Sequence, residues 1–173
     1  MCRKRPLAFD RARSLGTYES VVRSLICFFK YQKQPVAVKE FIPALEAHFQ
    51  GERERYAGFG VVPVPLHVKK LKVRGFNQAF IVAREVARIL SLPIWTKGLV
   101  RVRETPPQAG LSRRQRMENL RGAFLLDRPE EWAGKRVLLV DDVLTTGATA
   151  HEVARLLKRA GVKAVHVITL ARA

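Results

Sequence analysis

Residues 137–149 read VLLVDDVLTTGAT. Apolar residues lead into two adjacent carboxylates, Asp141 and Asp142, and a run of hydroxyl-bearing and small residues follows. A short continuous apolar run ended by acids is the pattern of a strand buried on both faces of a parallel sheet, and it predicts a strand over 136–143. Downstream, Ala150, Val153, Ala154, Leu157 and Ala160 recur at helical spacing, and Gly161 stands where a left-handed C-terminal cap belongs. Residues 162–170 read as another strand. Strand, loop, helix and strand make a βαβ unit with a phosphate-sized loop at its first crossover.

A second unit lies upstream. The run Gly60-VVPVPL is apolar but broken by Pro63 and Pro65, and a helix is expected from Asn77 to Leu90. Ala79, Val82, Ala83, Val86, Ala87 and Leu90 share one side of that helix, Asn77 suits its N-cap, and Ser91-Leu92-Pro93 stops it. Residues 94–102 are expected to hold the next strand, weakened by Gly98. The stretch RETPPQAGLSRRQRMENLRG, 103–122, reads as a mobile loop or arm with one helical turn. The first fifty-odd residues look helical, over 18–31 and 36–49, with a break at Gln34-Pro35. The expected fold is α/β with a parallel sheet and a small N-terminal helical addition, divided as residues 1–55 and 56–173.

Composition narrows the function. The chain has 173 residues, enough for one domain with a proper core, and 47% of them are apolar. No apolar run approaches the ~18 residues that span a bilayer, so no membrane span is expected. The N-terminal MCRKRPLAFDRARS has charge but no apolar stretch behind it, unlike a secretory signal. Cys2 and Cys27 are the only cysteines, too few for a disulfide framework or a four-thiolate zinc site, and a cytoplasmic location is expected. Thirty-two Lys and Arg against fifteen Asp and Glu leave a charge of +17. That excess suits a polyanionic partner, and equally a solubilising surface.

In open α/β sheets, ligands gather at the carboxyl ends of the strands, where Asp141 and Asp142 are expected. Gly147 lets the backbone turn tightly within Thr145-Thr146-Gly147-Ala148-Thr149, and the converging N–H groups with the following helix N-terminus make a seat for a phosphate. Carboxylates suit hydroxyl donors or a cation instead. A phosphate seat beside two acids therefore describes a pocket for ribose 5-phosphate. Simple helix capping leaves the phosphate-compatible loop unexplained. A phospho-acceptor receiver domain would need further strands bearing an Asp and a Lys, yet only 31 residues follow Asp142. A nucleotide P-loop would need Gly-Lys-Ser/Thr, and no such lysine is present.

The stretch VLLVDDVLTTGAT resembles the 5-phosphoribosyl-1-pyrophosphate (PRPP) motif of type I phosphoribosyltransferases. VVPVPLHVKKLKVRGFNQA (61–79), RETPPQAGLSRRQRMENLRGAF (103–124) and SLGTYESVVRSLICFFKYQKQP (14–35) resemble the ComF family of late-competence proteins, so the likeness covers nearly the whole chain. The string Arg74-Gly75-Phe76-Asn77-Gln78, with Gln108, Leu111, Arg116 and Asn119, is its more particular part. Family members commonly start with a cysteine-rich zinc module; Cys2 and Cys27 cannot build it, and no zinc site is expected.

The resemblance implies a substrate, PRPP with Mg²⁺, the metal being held mainly through PRPP. It implies that Thr145, Thr146, Gly147, Ala148 and Thr149 hold the 5-phosphate while Asp141 and Asp142 bind the ribose hydroxyls. A second loop would meet the pyrophosphate through Pro65, Leu66, His67, Lys69, Lys70, Lys72 and Arg74. Residues 103–119 would close over the pocket, and Arg101, Arg113 and Arg116 join the acid pair as candidate catalytic residues, each with a solvated basic face as the plain alternative. His151 is expected to be solvent-exposed, His67 nearer the pyrophosphate, and Trp95 and Trp132 core residues. Two functions stay open: a phosphoribosyltransferase acting on an unidentified nitrogenous base, or a PRPP- or nucleotide-binding module that contacts single-stranded DNA or the competence machinery.

Overall fold

A strand without polar alternation is stable only where both its faces are covered, and Val137, Leu138, Leu139 and Val140 are all fully buried. The computed structural model describes residues 7–31, 35–106 and 110–173. In chain order its elements are β1 (Arg11–Thr17), α1 (Ser20–Tyr31), a 3₁₀ segment (Pro35–Phe41), α2 (Ile42–Phe49), β2 (Phe59–Pro63), α3 (Val68–Arg74), α4 (Gln78–Leu90), β3 (Leu99–Arg101), α5 (Arg113–Leu120), β4 (Phe124–Leu126), β5 (Arg136–Leu144), α6 (Ala148–Arg159) and β6 (Ala164–Arg172). Four strands form a parallel sheet in the order β1-β6-β5-β2.

The pleat sorts the core into two layers. Leu138 and Val140 join Val61, Val82, Val86, Leu90 and Leu45 on the α2 and α4 side. Val137 and Leu139 join Val153, Ala154, Leu157, Val165 and Val167 on the α6 side. Asn77 caps α4, its Oδ1 accepting from the Ala79 N–H at 3.0 Å, and Gly161 ends the α6 turn at φ 80°.

Four segments depart from the sequence-based expectation. Residues 94–102 do not form one strand of the main sheet. Ile94 alone bridges Val61 in parallel, Gly98 turns the chain at φ 92°, and β3 then pairs antiparallel with β4 in a separate ribbon. Within the expected helical N-terminus, residues 11–17 form β1 at the sheet edge, its backbone paired with β6 from Arg11↔His166 to Thr17↔Arg172. The segment 36–49 divides into the 3₁₀ segment and α2, with Pro43 in the first turn of α2. Residues 113–120 form a helix longer than the single turn expected, stabilised by a capping box in which Gln115 N–H donates to Ser112 Oγ and Ser112 N–H to Gln115 Oε1.

Candidate functional site

Side chains alternate along a strand, so neighbouring acids on β5 point to opposite faces of the sheet. Asp141 lines a small hollow with Thr145, Gly147, Ala148, Thr149 and Thr169. Asp142 is 6% exposed and faces α4, where Gln78 Nε2 donates to its Oδ2 at 3.0 Å. The Asp142 N–H donates back to Asp141 Oδ1 at 2.9 Å. The pleat keeps the two charges apart, and each carboxylate has its own donor.

The loop after Asp141 takes the form its sequence implies. Gly147 is the N-cap of α6 in the left-handed conformation, φ 75°, and as a glycine it supplies no side-chain cap. A side chain at Gly147 would also be crowded, with its Cβ 3.2 Å from Leu7 Cδ1 and 3.6 Å from Phe9. Leu7 and Phe9 thus pack across the turn, and between them the Ala8 N–H donates to His151 Nδ1 at 3.0 Å. His151 is half-buried rather than solvent-exposed. Thr146 Oγ1 is buried and has no hydrogen-bond partner among the described residues.

The basic segment follows β2, the strand paired in parallel with β5. His67 opens α3, its Nδ1 accepting from the Lys69 N–H at 3.4 Å, which makes it a helix cap. Pro65 and Leu66 are half-buried in the turn before it. No residue of α3 is buried, and Lys69 and Lys72 are exposed. Burial, then the nearby Arg101 and Arg74 guanidinium groups, hold the Lys70 ammonium below its ordinary pKa. Burial likewise lowers Arg101, against the opposing pull of Asp141. Arg74 Nη1 and Arg101 Nε are buried without a hydrogen-bond partner among the described residues. Lys70, Arg74 and Arg101 therefore crowd together, with Arg101 also close to Asp141. Cations crowded in this way are where an anion gains most.

The segment between β3 and β4 joins the two loops. Glu104 pairs with Lys69 at 2.8 Å, and Arg116 Nη1 donates to Thr145 Oγ1 at 3.0 Å. Arg103 Nη2 ties the arm to itself by donating to the carbonyls of Asn119 at 2.7 Å and Arg121 at 2.8 Å. At its far end the Gly122 N–H donates to Glu152 Oε1 of α6 at 2.8 Å. Gln108 and the Arg113 side chain lie outside the described residues.

Of the residues expected in the site, the structure brings together Asp141, the Thr145–Thr149 loop, Arg116, Arg101, Lys70 and Arg74, and turns Asp142 toward α4. Sequence reasoning assigned no role to Gln78, Glu152 or Thr169. Asn77-Gln78 stood inside the distinctive string, but its bond to Asp142 spans 64 residues. Among the described residues no three His, Cys, Asp or Glu are grouped to hold a metal, and no helix is long and apolar enough to cross a membrane.

Residues 77–173 match the phosphoribosyl transferase domain family. The chain is 34% identical to competence protein F of Haemophilus influenzae, over 99% of this chain and 77% of that protein. It is 31% identical to the DNA utilization protein YhgH of Escherichia coli (99% and 76%), and 30% identical to competence protein ComFC of Bacillus subtilis (96% and 66%).

Proposed function

Because the chain belongs to the phosphoribosyl transferase domain family and to its ComF branch, we propose that it binds PRPP and transfers the phosphoribosyl group to a nitrogenous base, releasing pyrophosphate, in a role linked to DNA uptake. One observation carries the reading: a carboxylate, Asp141, shares a hollow with the glycine-turned N-terminus of a twelve-residue helix. The loop amides and threonine hydroxyls would hold the 5-phosphate while Asp141 accepts from the ribose hydroxyls. Lys69, Lys70 and Arg74, with Arg101 beside them, would take the pyrophosphate, and Lys72 adds positive field. Leaving-group departure builds positive charge at the sugar carbon, which the adjacent Asp141 carboxylate favours, while the cations stabilise the departing anion. The bond from Arg116 to Thr145 supports an arm that would lie over the 5-phosphate end and limit access of water.

The donor set fits a magnesium ion held mainly by substrate phosphates. Asp141 in the hollow would supply one hard oxygen ligand, which suits an ion that uses one or two carboxylates plus phosphate oxygens. When bound, it would neutralise part of the pyrophosphate charge. The test is calorimetric titration with PRPP, with and without Mg²⁺, on wild type and Asp141→Asn. Mg²⁺-dependent binding that weakens at least tenfold in the variant is expected; a flat wild-type trace refutes the reading. Pyrophosphate release only on addition of a base assigns the transfer.

A second reading, binding of single-stranded nucleic acid alongside PRPP, is favoured by α3, which carries Lys69, Lys70, Lys72 and Arg74 on a helix with no buried residue, in a chain of net charge +17. Binding that falls steeply with salt and survives Asp141→Asn would support it.

A further inference from the structure

The first turn of α4 carries a buried amide that packing alone does not require. Gln78 is 6% exposed, and the other buried positions of its helix are all apolar, among them Ala79, Val82 and Val86. Its Nε2 donates to Asp142 Oδ2 at 3.0 Å. A carboxylate only accepts, so this bond sets which end of the amide faces Asp142. The other end, Oε1, is buried and has no hydrogen-bond partner among the described residues. An unsatisfied buried acceptor is costly, and a methionine of similar length would fill the place without it.

The donor end reaches further than one residue. The Asp142 backbone N–H donates to Asp141 Oδ1 at 2.9 Å, so Gln78 fixes the side chain of the residue whose backbone holds the carboxylate that lines the hollow. One residue earlier, Asn77 Nδ2 donates to the Val64 carbonyl at 3.0 Å, at the exit of β2. Two adjacent amides therefore tie together the start of the basic loop, the start of α4 and the acid pair.

We propose that Gln78 is a positioning residue, orienting Asp141 toward the ribose hydroxyls through Asp142; this rests on the ribose-phosphate reading above. The experiment is a double-mutant cycle of Gln78→Met and Asp142→Ala, read by thermal melting and by titration with ribose 5-phosphate and with PRPP plus Mg²⁺. Gln78→Met is expected to melt within about 5 °C of wild type and to bind both probes about tenfold more weakly. In the Asp142→Ala background the same change should produce no further loss.

Equal affinity of Gln78→Met and wild type overturns the inference and leaves the ribose-phosphate reading standing. Fully additive losses do the same, because Gln78 would then act without Asp142. If Gln78→Met and Gln78→Leu both melt more than about 10 °C early, the amide belongs to the fold and the inference falls. A wild type that takes up neither probe overturns the reading and the inference together.

Discussion

Removing the Glu152 carboxylate should loosen the arm by a predictable amount. Glu152 is 5% exposed and accepts three hydrogen bonds: from the Gly122 N–H at 2.8 Å, Arg155 Nε at 2.9 Å and Arg155 Nη2 at 2.7 Å. Glu152→Gln keeps an oxygen for Gly122 and loses the ion pair. Arg155 is partly exposed and recovers water, so this should cost about 1–2 kcal/mol. Glu152→Ala also strips Gly122 of its acceptor and leaves a cavity, for about 3 kcal/mol in total. In a domain of this size those losses correspond to roughly 5 °C and roughly 10 °C in melting temperature. Thermal melts measure the two steps, and brief trypsin digestion at 25 °C should cut at Arg114 and Arg116 faster in the alanine variant. Identical melting of the two variants, with unchanged cleavage in α5, would refute the reasoning that this bond anchors the arm.

Acid should weaken the fold through two carboxylates. Burial pushes Glu152 up, but Arg155 and the Gly122 N–H outweigh it, and its pKa lies below the ordinary 4.5. Asp10 lies below its ordinary 3.8, with Lys158 and the Val165 N–H outweighing burial. Depressed folded values contribute stability that is fully present above the unfolded values and lost as pH falls through the folded ones. Urea midpoints should therefore drop below about pH 4.5, and less steeply in Glu152→Gln/Asp10→Asn; equal slopes would contradict this. Gly60→Ala would place a Cβ 2.3 Å from Trp95 Cε2, so it should cost about 1–3 kcal/mol in urea unfolding and shift the tryptophan fluorescence. Gly147→Ala forces a side chain into φ 75° against Leu7; a stability loss of about 1–2 kcal/mol with weakened ribose 5-phosphate uptake is expected, and unchanged affinity would detach the turn from phosphate binding.

α4 and α6 were legible because their apolar residues recur at helical spacing, and β5 and β6 because short, nearly continuous apolar runs mark strands covered on both faces. β1 was not. Its sequence RARSLGT has a single large apolar residue, Leu15, and it joins the sheet through backbone bonds to β6 that leave no hydropathy pattern. α5 lacks an apolar stripe, and the Ser112–Gln115 capping box at its start was not read from the sequence. In the site, the glycine turn and an acid beside it could be read locally. The opposite facing of Asp141 and Asp142 follows from the two-residue period of a strand. Gln78 against Asp142 and Ala8 against His151 could not be read, since bonds across 64 and 143 residues depend on the finished packing.

The strand order also dictates when the sheet can be completed. β6 lies between β1 and β5, and the register joins Arg11 to His166. During synthesis β1 is thus made well before β6, the strand it pairs with among the described residues, and waits until nearly the whole segment has emerged from the ribosome. Throughout that interval its arginines at positions 11 and 13 discourage nascent chains from pairing with one another along the open edge.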